Sequence, residues 1–459
     1  MRIIMRKYFG TDGIRRIANT ELSPNLVFRV AKAGASVLSK HTDHMPTIFI
    51  GRDTRISGTL IESAMIAGFL SYGANVKSLG VIPTPAVAYL TKKYNADASV
   101  VISASHNTFE FNGVKYFSNK GMKIPDSLEE EIEEIMDSDE KLSALTAVSE
   151  KIGVSENRED MIEDYVDFIV GIFHESITKN KNDDFKVLID TANGATYKVA
   201  DKIYKRLGIK HDIINNEPNG ININDNCGST HLGMLKKKVV EGKYSLGIAY
   251  DGDGDRCLAV DENGNEIDGD IMLAIASNYL KSEGKLANDT LVATVMSNLG
   301  LNKFSEKAGI NFKQTKVGDR YVLEEMLKNG YNLGGEQSGH IIYLDYNPTG
   351  DGILTSLMLV KILLERNQKP SEASKIVKIY PQVLINAKVN SDKKYDFDKD
   401  EEIKEAIEKV SEEFSGNGRV LIRPSGTEPL VRVMIEGEDQ EVITKKAREI
   451  ADLIEKKLK

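Results

Sequence analysis

The segment Asp251–Asp255 reads Asp-Gly-Asp-Gly-Asp and follows an apolar run directly. Its glycines allow the backbone to curl, so that the three carboxylates can converge on one point. Clustered carboxylates repel one another unless a cation lies between them, and oxygen ligands suit a hard divalent ion. We therefore predict that Asp251, Asp253 and Asp255 bind Mg²⁺.

Two other interpretations of this segment stay open at this point. A solvated acidic turn would need no ion. An EF-hand calcium loop would use the same three aspartates, with Glu262 at its twelfth position, in a non-catalytic Ca²⁺-binding protein. That motif requires glycine at its sixth position, where this chain has Arg256, and the flanking segments are typical of strands rather than helices.

A second candidate segment, Ser103–Asn107, follows a predicted strand at Ser99–Ile102. A serine beside a histidine suggests a hydrolase, but the G-x-S-x-G pattern is missing. Adjacent side chains of an extended segment also point apart, so His106 would be a poor base for Ser105. A polar turn that caps a helix is the plain alternative. With Lys115 nearby and the acidic cluster elsewhere, the residue set instead favours phosphoryl transfer.

Three further segments offer polar or charged groups beside glycine turns, one of them suited to an anion and one to sugar hydroxyls. Arg423–Pro429 combines a forked guanidinium with hydroxyls and a glycine turn, which can form an anion site. Gly334–His340 places a carboxylate, a hydroxyl and an imidazole between glycines, and Gly10–Arg15 offers two turns and an arginine. Each segment alone could be an ordinary loop, but their occurrence together favours a shared site.

The composition bounds the class of protein. The chain has 459 residues, of which 41% are hydrophobic and 28% charged, as in globular proteins of several domains. Its net charge of −9 argues against a general nucleic-acid or anionic-membrane binder. Cys227 and Cys257 cannot form a disulfide framework, and no secretory signal or membrane-spanning run is present. We expect a soluble, cytoplasmic protein.

The elements that must position these segments follow an α/β pattern. Strand, polar loop and helix alternate through three successive units, and a smaller α+β unit follows. The predicted domains are residues 1–157, 158–260, 261–369 and 370–459. The candidate loops for the nucleophile, the metal, the sugar and the phosphate fall in these four domains in that order.

In their order along nearly the whole chain, these segments resemble the α-D-phosphohexomutase superfamily. Ser103–Asn107 resembles its phosphoserine loop, Asp251–Arg256 its metal loop, Gly335–His340 its sugar loop and Arg423–Pro429 its phosphate loop. Within the sugar loop, Gln337 is the residue typical of the glucosamine branch of this superfamily. The segments Tyr8–Arg15, Pro83–Val87 and Val317–Val322 resemble the same branch. Arg16 and Thr108 depart from the pattern, which usually has Gly and Pro there.

The resemblance implies three related α/β domains with mixed sheets and a smaller C-terminal α+β domain around a central cleft. It implies interconversion of glucosamine 6-phosphate and glucosamine 1-phosphate, through a phosphoserine and glucosamine 1,6-bisphosphate, for UDP-N-acetylglucosamine and cell-wall synthesis. A homodimer is common among such enzymes. The alternatives are a phosphomannomutase/phosphoglucomutase or a metal-dependent phosphatase.

The resemblance also implies residue roles. Ser105 would carry the phosphate and supply a further oxygen to the metal, while Lys115 and His340 would serve as general base and acid. Arg15 and Arg256 would stabilise charge near the metal. The predicted substrate-binding residues are Arg256, Glu336, Ser338, Arg423, Ser425, Gly426 and Thr427.

Overall fold

The computed structural model of the chain describes residues 7–10, 12–425 and 428–459. The chain forms two compact units. The first contains the described residues up to Val295 together with Ile310–Lys375, and the second contains Met296–Gly309 and Ile376–Lys459. The first unit holds three sheets flanked by helices and the second holds a smaller antiparallel sheet, so the predicted fold class is confirmed. The four predicted domain boundaries stay predictions.

The first sheet is mixed and has six strands. They are β1 (Ile14–Ile17), β2 (Thr47–Arg52), β3 (Asn75–Val81), β4 (Ala98–Ile102), β5 (Phe111–Ser118) and β6 (Ser155–Asn157). Their order is β1-β5-β4-β2-β3-β6, with β5 antiparallel to both of its neighbours. The associated helices are α1 (Pro24–Leu38), α2 (Gly58–Tyr72), α3 (Thr84–Lys93), α4 (Asp126–Met136) and α5 (Asp139–Ala144).

The long helix α6 (Ile162–Lys179) leads into the second sheet. The strands of this sheet are β7 (Lys186–Asp190), β8 (Lys210–Ile214), β9 (Leu246–Tyr250), β10 (Cys257–Asp261) and β11 (Glu266–Ile267). Their order is β11-β10-β9-β7-β8, and helices α7 (Val199–Arg206) and α8 (Gly233–Glu241) lie between strands in the sequence. Strand β9 ends at Tyr250, directly before the candidate metal loop.

The third sheet repeats this construction with four strands. They are β12 (Thr290–Thr294), β13 (Asn311–Thr315), β14 (Leu333–Gly335) and β15 (Ile341–Tyr343), in the order β13-β12-β14-β15. Its chain segment also holds the helices α9 (Gly269–Ser282), α10 (Leu299–Lys307), α11 (Asp319–Asn329), α12 (Gly352–Glu365) and α13 (Pro370–Ala373). Helix α10 belongs to the second compact unit.

The sheet of the second unit is antiparallel throughout. It contains β16 (Gln382–Lys388), β17 (Arg419–Pro424) and β18 (Leu430–Glu436) in the order β16-β18-β17, with helices α14 (Glu401–Glu413) and α15 (Gln440–Leu458). Apolar residues of α15, including Ile443, Ile450 and Ile454, pack with the sheet in a separate core. The spacing of these residues corresponds to one face of a helix.

Three candidate loops begin where a strand ends. Ser103–Asn107 follows β4, Asp251–Asp255 follows β9, and Glu336–His340 follows β14. In the described residues no helix is both long and apolar enough to cross a membrane.

Candidate active site

The three aspartates of the predicted metal loop do converge. Asp251, Asp253 and Asp255 are all buried, and one ligand oxygen from each lies within 4.8 Å of the others. The loop is a turn in which the Gly254 N–H donates to the Asp251 carbonyl at 3.2 Å. Burial, followed by the charges of Asp255 and Asp253, raises the pKa of Asp251. The negative charge of Asp251 is therefore disfavoured by its two neighbours, whereas Lys115 outweighs burial and lowers the pKa of Asp255.

A hard cation fits this cluster. The Oδ1 atoms of Asp253 and Asp255 are buried and have no hydrogen-bond partner among the described residues. Leaving a buried acceptor unpaired costs about 1–3 kcal/mol, and more when the group is charged. The EF-hand alternative is wrong, because the loop joins strands β9 and β10 and the Glu262 carboxylate bonds Ser371 instead.

Ser105 lies against this cluster. Its hydroxyl is fully buried and donates to Asp251 Oδ2 at 2.6 Å. Ser105 has φ of +52°, so the segment is not extended here, and the expected separation from His106 is wrong. His106 Nδ1 lies 3.5 Å from Ser105 Oγ. Burial, reinforced by Arg256 and Arg15, lowers the pKa of His106 to about 4.

Lys115 approaches the same aspartates from strand β5. Its ammonium lies 2.9 Å from Asp253 Oδ2, 3.6 Å from Asp255 Oδ2 and 3.2 Å from Asp12 Oδ2. Burial alone would lower the pKa of Lys115, but the three carboxylates outweigh it and the pKa is raised. Lys115 is thus an ion-paired cation within the acidic cluster.

His340 also reaches the acidic cluster, and Gly350 orients it. Its Nδ1 lies 3.6 Å from Asp255 Oδ2, and its Nε2 lies 3.5 Å from Asp319 Oδ2. The Gly350 N–H donates to Nε2 at 3.0 Å, which places the proton of the neutral ring on Nδ1. Burial lowers the pKa of His340, but the two carboxylates outweigh it and the net shift is upward.

Arg15 belongs to a charge network that the sequence reasoning did not single out. Its guanidinium pairs with Asp12, which Lys123 also contacts. Lys123 in turn lies 2.5 Å from Asp319 Oδ2. Burial would raise the pKa of Asp12, but Lys115, Lys123 and Arg15 hold it well below its ordinary value. Asp12 lies inside the Gly10–Arg15 motif, which was the available signal.

Arg256 and the sugar loop complete the site in the first unit. The Arg256 N–H donates to Asp251 Oδ1 at 3.2 Å, and its Nε lies 3.9 Å from Asp255 Oδ1. The Glu336 carboxylate accepts the Gly318 N–H at 3.2 Å, and burial raises its pKa. The Ser338 hydroxyl is buried without a hydrogen-bond partner among the described residues.

Gln337, the residue typical of the glucosamine branch, makes a different kind of contact. Its side-chain amide donates to Asp268 Oδ2 at 3.1 Å. Asp268 also caps helix α9 by accepting the Ile271 N–H at 3.0 Å. Gln337 therefore ties the sugar loop to the start of a helix.

The predicted phosphate loop lies in the second unit. Arg423 is at the end of β17, directly opposite Arg432 of β18, and burial together with that second cation lowers its pKa. Ser425 is buried, its N–H donates to the Leu430 carbonyl at 2.8 Å, and its Oγ accepts the Glu428 N–H at 3.3 Å. Arg432 is itself paired with Glu428 at 3.3 Å, and Arg423 adds a second positive charge that would favour an anion here. Gly426 and Thr427 lie outside the described residues.

The first-unit site thus places a serine hydroxyl, an acidic cluster, and several cations around one point, which is the equipment of phosphoryl transfer. Family models agree with this chemistry. Those of the phosphoglucomutase/phosphomannomutase family match α/β/α domain I at residues 6–143, domain II at 163–264, domain III at 268–380 and the C-terminal domain at 384–453. The chain belongs to this family, and it is an isomerase of the phosphohexomutase class.

Similar proteins over the full chain indicate which branch of the family this chain resembles. The chain is 53% identical to phosphoglucosamine mutase of Ruminiclostridium cellulolyticum, over 99% of this chain and 100% of the relative. It is also 53% identical to phosphoglucosamine mutase of Acetivibrio thermocellus, with the same coverage of both chains. The resemblance noted from the sequence, including its glucosamine branch, is confirmed.

Solved structures share the fold at low identity. A phosphoglucomutase/phosphomannomutase family protein from Burkholderia thailandensis has a TM-score of 0.80 at 21% identity, covering 97% of both chains. Aspergillus fumigatus N-acetylphosphoglucosamine mutase, solved with GlcNAc-6P and magnesium, has a TM-score of 0.67 at 17% identity, covering 99% of this chain and 96% of that one.

Proposed function

We propose that this chain interconverts glucosamine 6-phosphate and glucosamine 1-phosphate, with a phosphoryl group carried on Ser105. The observation that carries the proposal is the 2.6 Å hydrogen bond from the buried Ser105 hydroxyl to Asp251 of the acidic cluster. Lys115 enters the same cluster and supplies positive charge where a phosphate would otherwise meet carboxylates. The phosphoglucosamine mutases at 53% identity support the choice of substrate.

Asp251, Asp253 and Asp255 would hold a magnesium ion, together with an oxygen at Ser105. The Oδ1 atoms of Asp253 and Asp255, which accept no hydrogen bond from the described residues, support this assignment. When bound, the ion supplies charge neutralisation at the phosphoryl group in transit.

The transfer conserves its atoms in two half-reactions. The bond between phosphorus and Ser105 Oγ breaks while a bond forms to the free sugar hydroxyl, whose proton leaves to a base. The product is glucosamine 1,6-bisphosphate, which turns end for end. The bond between its other phosphorus and the sugar oxygen then breaks while a bond forms to Ser105 Oγ, and the freed sugar oxygen takes up a proton. Lys115 and His340 are the proposed general base and acid. Lys115 can take the hydroxyl proton only after giving up its own, because the three aspartates around it outweigh burial and raise its pKa. Arg15 and Arg256 are the proposed charge stabilisers.

The remaining predicted residues would hold the sugar during these steps. Glu336 and Ser338 would bind sugar hydroxyls, since a buried carboxylate and an unpaired buried hydroxyl offer both acceptor and donor atoms. Arg423 and Ser425, with Gly426 and Thr427, would bind the phosphate that is not reacting. A cytoplasmic location, a role in UDP-N-acetylglucosamine supply for the cell wall and a homodimer stay predictions of the sequence.

Peptide mass spectrometry beside a coupled assay for glucosamine 1-phosphate tests the proposal. We expect one phosphate on Ser105, activity that tracks its occupancy, and no turnover in a folded Ser105→Ala variant. Phosphate on Ser105 with activity only on glucose or mannose phosphates would move the substrate to the phosphomannomutase/phosphoglucomutase alternative. Steady release of inorganic phosphate would indicate the phosphatase. Normal activity of Ser105→Ala would exclude the phosphoserine.

A further inference from the structure

The loop that carries Ser105 is held by two side chains that do not belong to the predicted machinery. We propose that Arg55 and Asn224 are positioning residues that bind the backbone carbonyls of this loop and thereby fix Ser105 Oγ against the metal loop. We call the pair the carbonyl clamp. The inference rests on the proposed function of Ser105. It adds which side chains hold the Ser105 hydroxyl in place.

Arg55 supplies the first half of the clamp. Its side chain has 0% exposure, as does that of Asp53, whose carboxylate accepts Arg55 Nε at 2.9 Å. The other guanidinium nitrogens donate to the carbonyls of Ser105 at 3.0 Å and Asn107 at 2.8 Å, and to that of Thr108. A buried arginine is costly unless all of its donors are used. Here three of the guanidinium hydrogen bonds go to carbonyls of the Ser105 loop.

Asp53 extends the hold on the loop from the other side. Its Oδ2 also accepts the Ser103 hydroxyl at 2.6 Å, and Ser103 Oγ accepts the Ser105 N–H at 2.9 Å. The N–H and the carbonyl of Ser105 are therefore both anchored to the Asp53–Arg55 ion pair.

Asn224 supplies the second half from a different sheet. It lies in the connection between β8 and α8, and its side-chain amide donates to the carbonyls of Ser105 and Asn107, at 2.8 Å each. These are two of the carbonyls that Arg55 binds. Asn224 is itself fixed, because its backbone N–H donates to the Ala192 carbonyl at 3.0 Å.

The loop needs such a hold because Ser105 has φ of +52°. A left-handed conformation is unfavourable for a residue with a Cβ atom, so it persists only where the surroundings impose it. Thr108 has no ring that would restrain its backbone. The Arg55 bond to its carbonyl supplies a restraint at the same position.

The clamp also sets the distance to the metal loop. A Cβ atom at Gly252 would lie 2.6 Å from the Ser105 carbonyl oxygen and 2.8 Å from Asn224 Nδ2. The clamped carbonyl thus packs directly on the backbone between Asp251 and Asp253. Release of that carbonyl would let Ser105 Oγ move away from Asp251. Both clamp side chains are buried, so the expected effect is on kcat rather than on substrate binding.

The test compares Asn224→Asp with Thr54→Val in the full chain. Aspartate has nearly the shape of asparagine, but its carboxylate cannot donate to the two carbonyls. Thr54→Val removes a hydrogen bond from the Thr54 hydroxyl to the Asn193 carbonyl, which links the residue before Arg55 to the loop after β7 without touching the Ser105 loop. Arg55→Lys, which keeps the charge and loses the fork, is the second variant.

We expect Asn224→Asp and Arg55→Lys to lower kcat by about 10²-fold, as for a misplaced reacting group, with KM within about twofold. Phosphate on Ser105 should be lost to water faster in both variants, as measured by mass spectrometry over time. Thr54→Val should match the wild type in both readouts.

Unchanged kcat in the two folded clamp variants would overturn the proposal. A loss of kcat/KM that comes entirely from a rise in KM would overturn it as well. Unfolding of both variants would also overturn it, since the pair would then serve the fold alone. If the wild type proves active only on another hexose phosphate, the proposed substrate fails. The same comparison, made with that hexose phosphate, then tests the clamp separately.

Discussion

His340 shows how a single backbone position can determine the geometry of a candidate catalytic side chain. A Cβ atom at Gly350 would lie 2.6 Å from each of three atoms of the His340 ring, Cδ2, Cε1 and Nδ1. Real Cβ atoms do not approach this closely, so any other residue must displace the ring. The absence of a side chain and the Gly350 N–H bond together hold the imidazole between Asp255 and Asp319.

We predict that Gly350→Ala lowers kcat by about 10²-fold, because the displaced ring no longer faces the reacting groups. Steady-state kinetics with glucosamine 6-phosphate measure this. Gly171→Ala is the matched control: no heavy atom lies within 4 Å of its added Cβ, and it should keep full activity. Activity within twofold of the wild type in Gly350→Ala would show that His340 tolerates the shift.

At the scale of elements, helix α4 anchors the segment that leads to Arg15. The Glu133 carboxylate of α4 accepts three consecutive backbone N–H groups, those of Lys7 at 2.8 Å, Tyr8 at 2.7 Å and Phe9 at 2.8 Å. These N–H groups precede strand β1, which contains Arg15. One acidic side chain thus fixes how the chain enters the first sheet.

Glu133→Ala should lower the free energy of unfolding by about 1–3 kcal/mol, since three N–H groups lose a charged acceptor. Urea denaturation measures the change. Glu130→Ala on the exposed face of the same helix is the control, and should change stability by less than about 0.5 kcal/mol. Equal stability of the two variants would mean that water replaces the carboxylate without loss.

A second prediction at the scale of elements is a substitution in helix α6 that should stabilise the fold. Gly171 lies in the interior of helix α6, is exposed and has open space where a Cβ would lie. Glycine costs a helix interior about 0.5–1 kcal/mol relative to alanine. Gly171→Ala should therefore raise the free energy of unfolding by that amount in urea titrations. A decrease would indicate a role for Gly171 that its open surroundings do not show.

At the scale of the molecule, loops of the first and second sheets meet at the acidic cluster. Thr84 at the start of α3 donates its hydroxyl to Asp253 Oδ2 at 2.7 Å and its N–H to the Asp253 carbonyl at 2.9 Å. Lys115 adds a third link to the same aspartate. An ion bound to this cluster should therefore stabilise the fold that brings the two sheets together.

Magnesium should raise the midpoint of thermal unfolding. A ligand at a concentration a hundredfold above its Kd adds about 2.7 kcal/mol to the free energy of unfolding. Asp253→Asn should lose most of this rise, and chelation by EDTA should reverse it in the wild type. The exposed Asp225→Asn is the control and should respond as the wild type does. A rise of equal size in Asp253→Asn would place the stabilising ion elsewhere.

Arg423, in the second compact unit, is a proposed phosphate-binding residue. Arg423→Ala should raise KM at least tenfold with a smaller change in kcat, because the phosphate that it would bind is not the one that reacts. Arg448→Ala, an exposed change on α15, should leave both constants unchanged. An unaltered KM in Arg423→Ala would remove the phosphate loop from the proposed function.

The sequence by itself determined the chemistry of the loops and the fold class. Asp251–Asp255 and Ser103–Asn107 carry their meaning in residue type and local spacing, and hydrophobic periodicity shows where strands end. The same local reasoning failed at Ser105, because an extended backbone was assumed where the fold imposes φ of +52°.

Only the tertiary structure decided which distant residues support those loops. Asn224 binds the Ser105 carbonyl across 119 positions of sequence, and Lys123 bonds Asp319 across 196. In the sequence, Arg55 is recognisable only as part of a turn that follows a strand. Such contacts depend on how sheets pack, and no spacing along the chain encodes which separate loops will share a carbonyl or a charge.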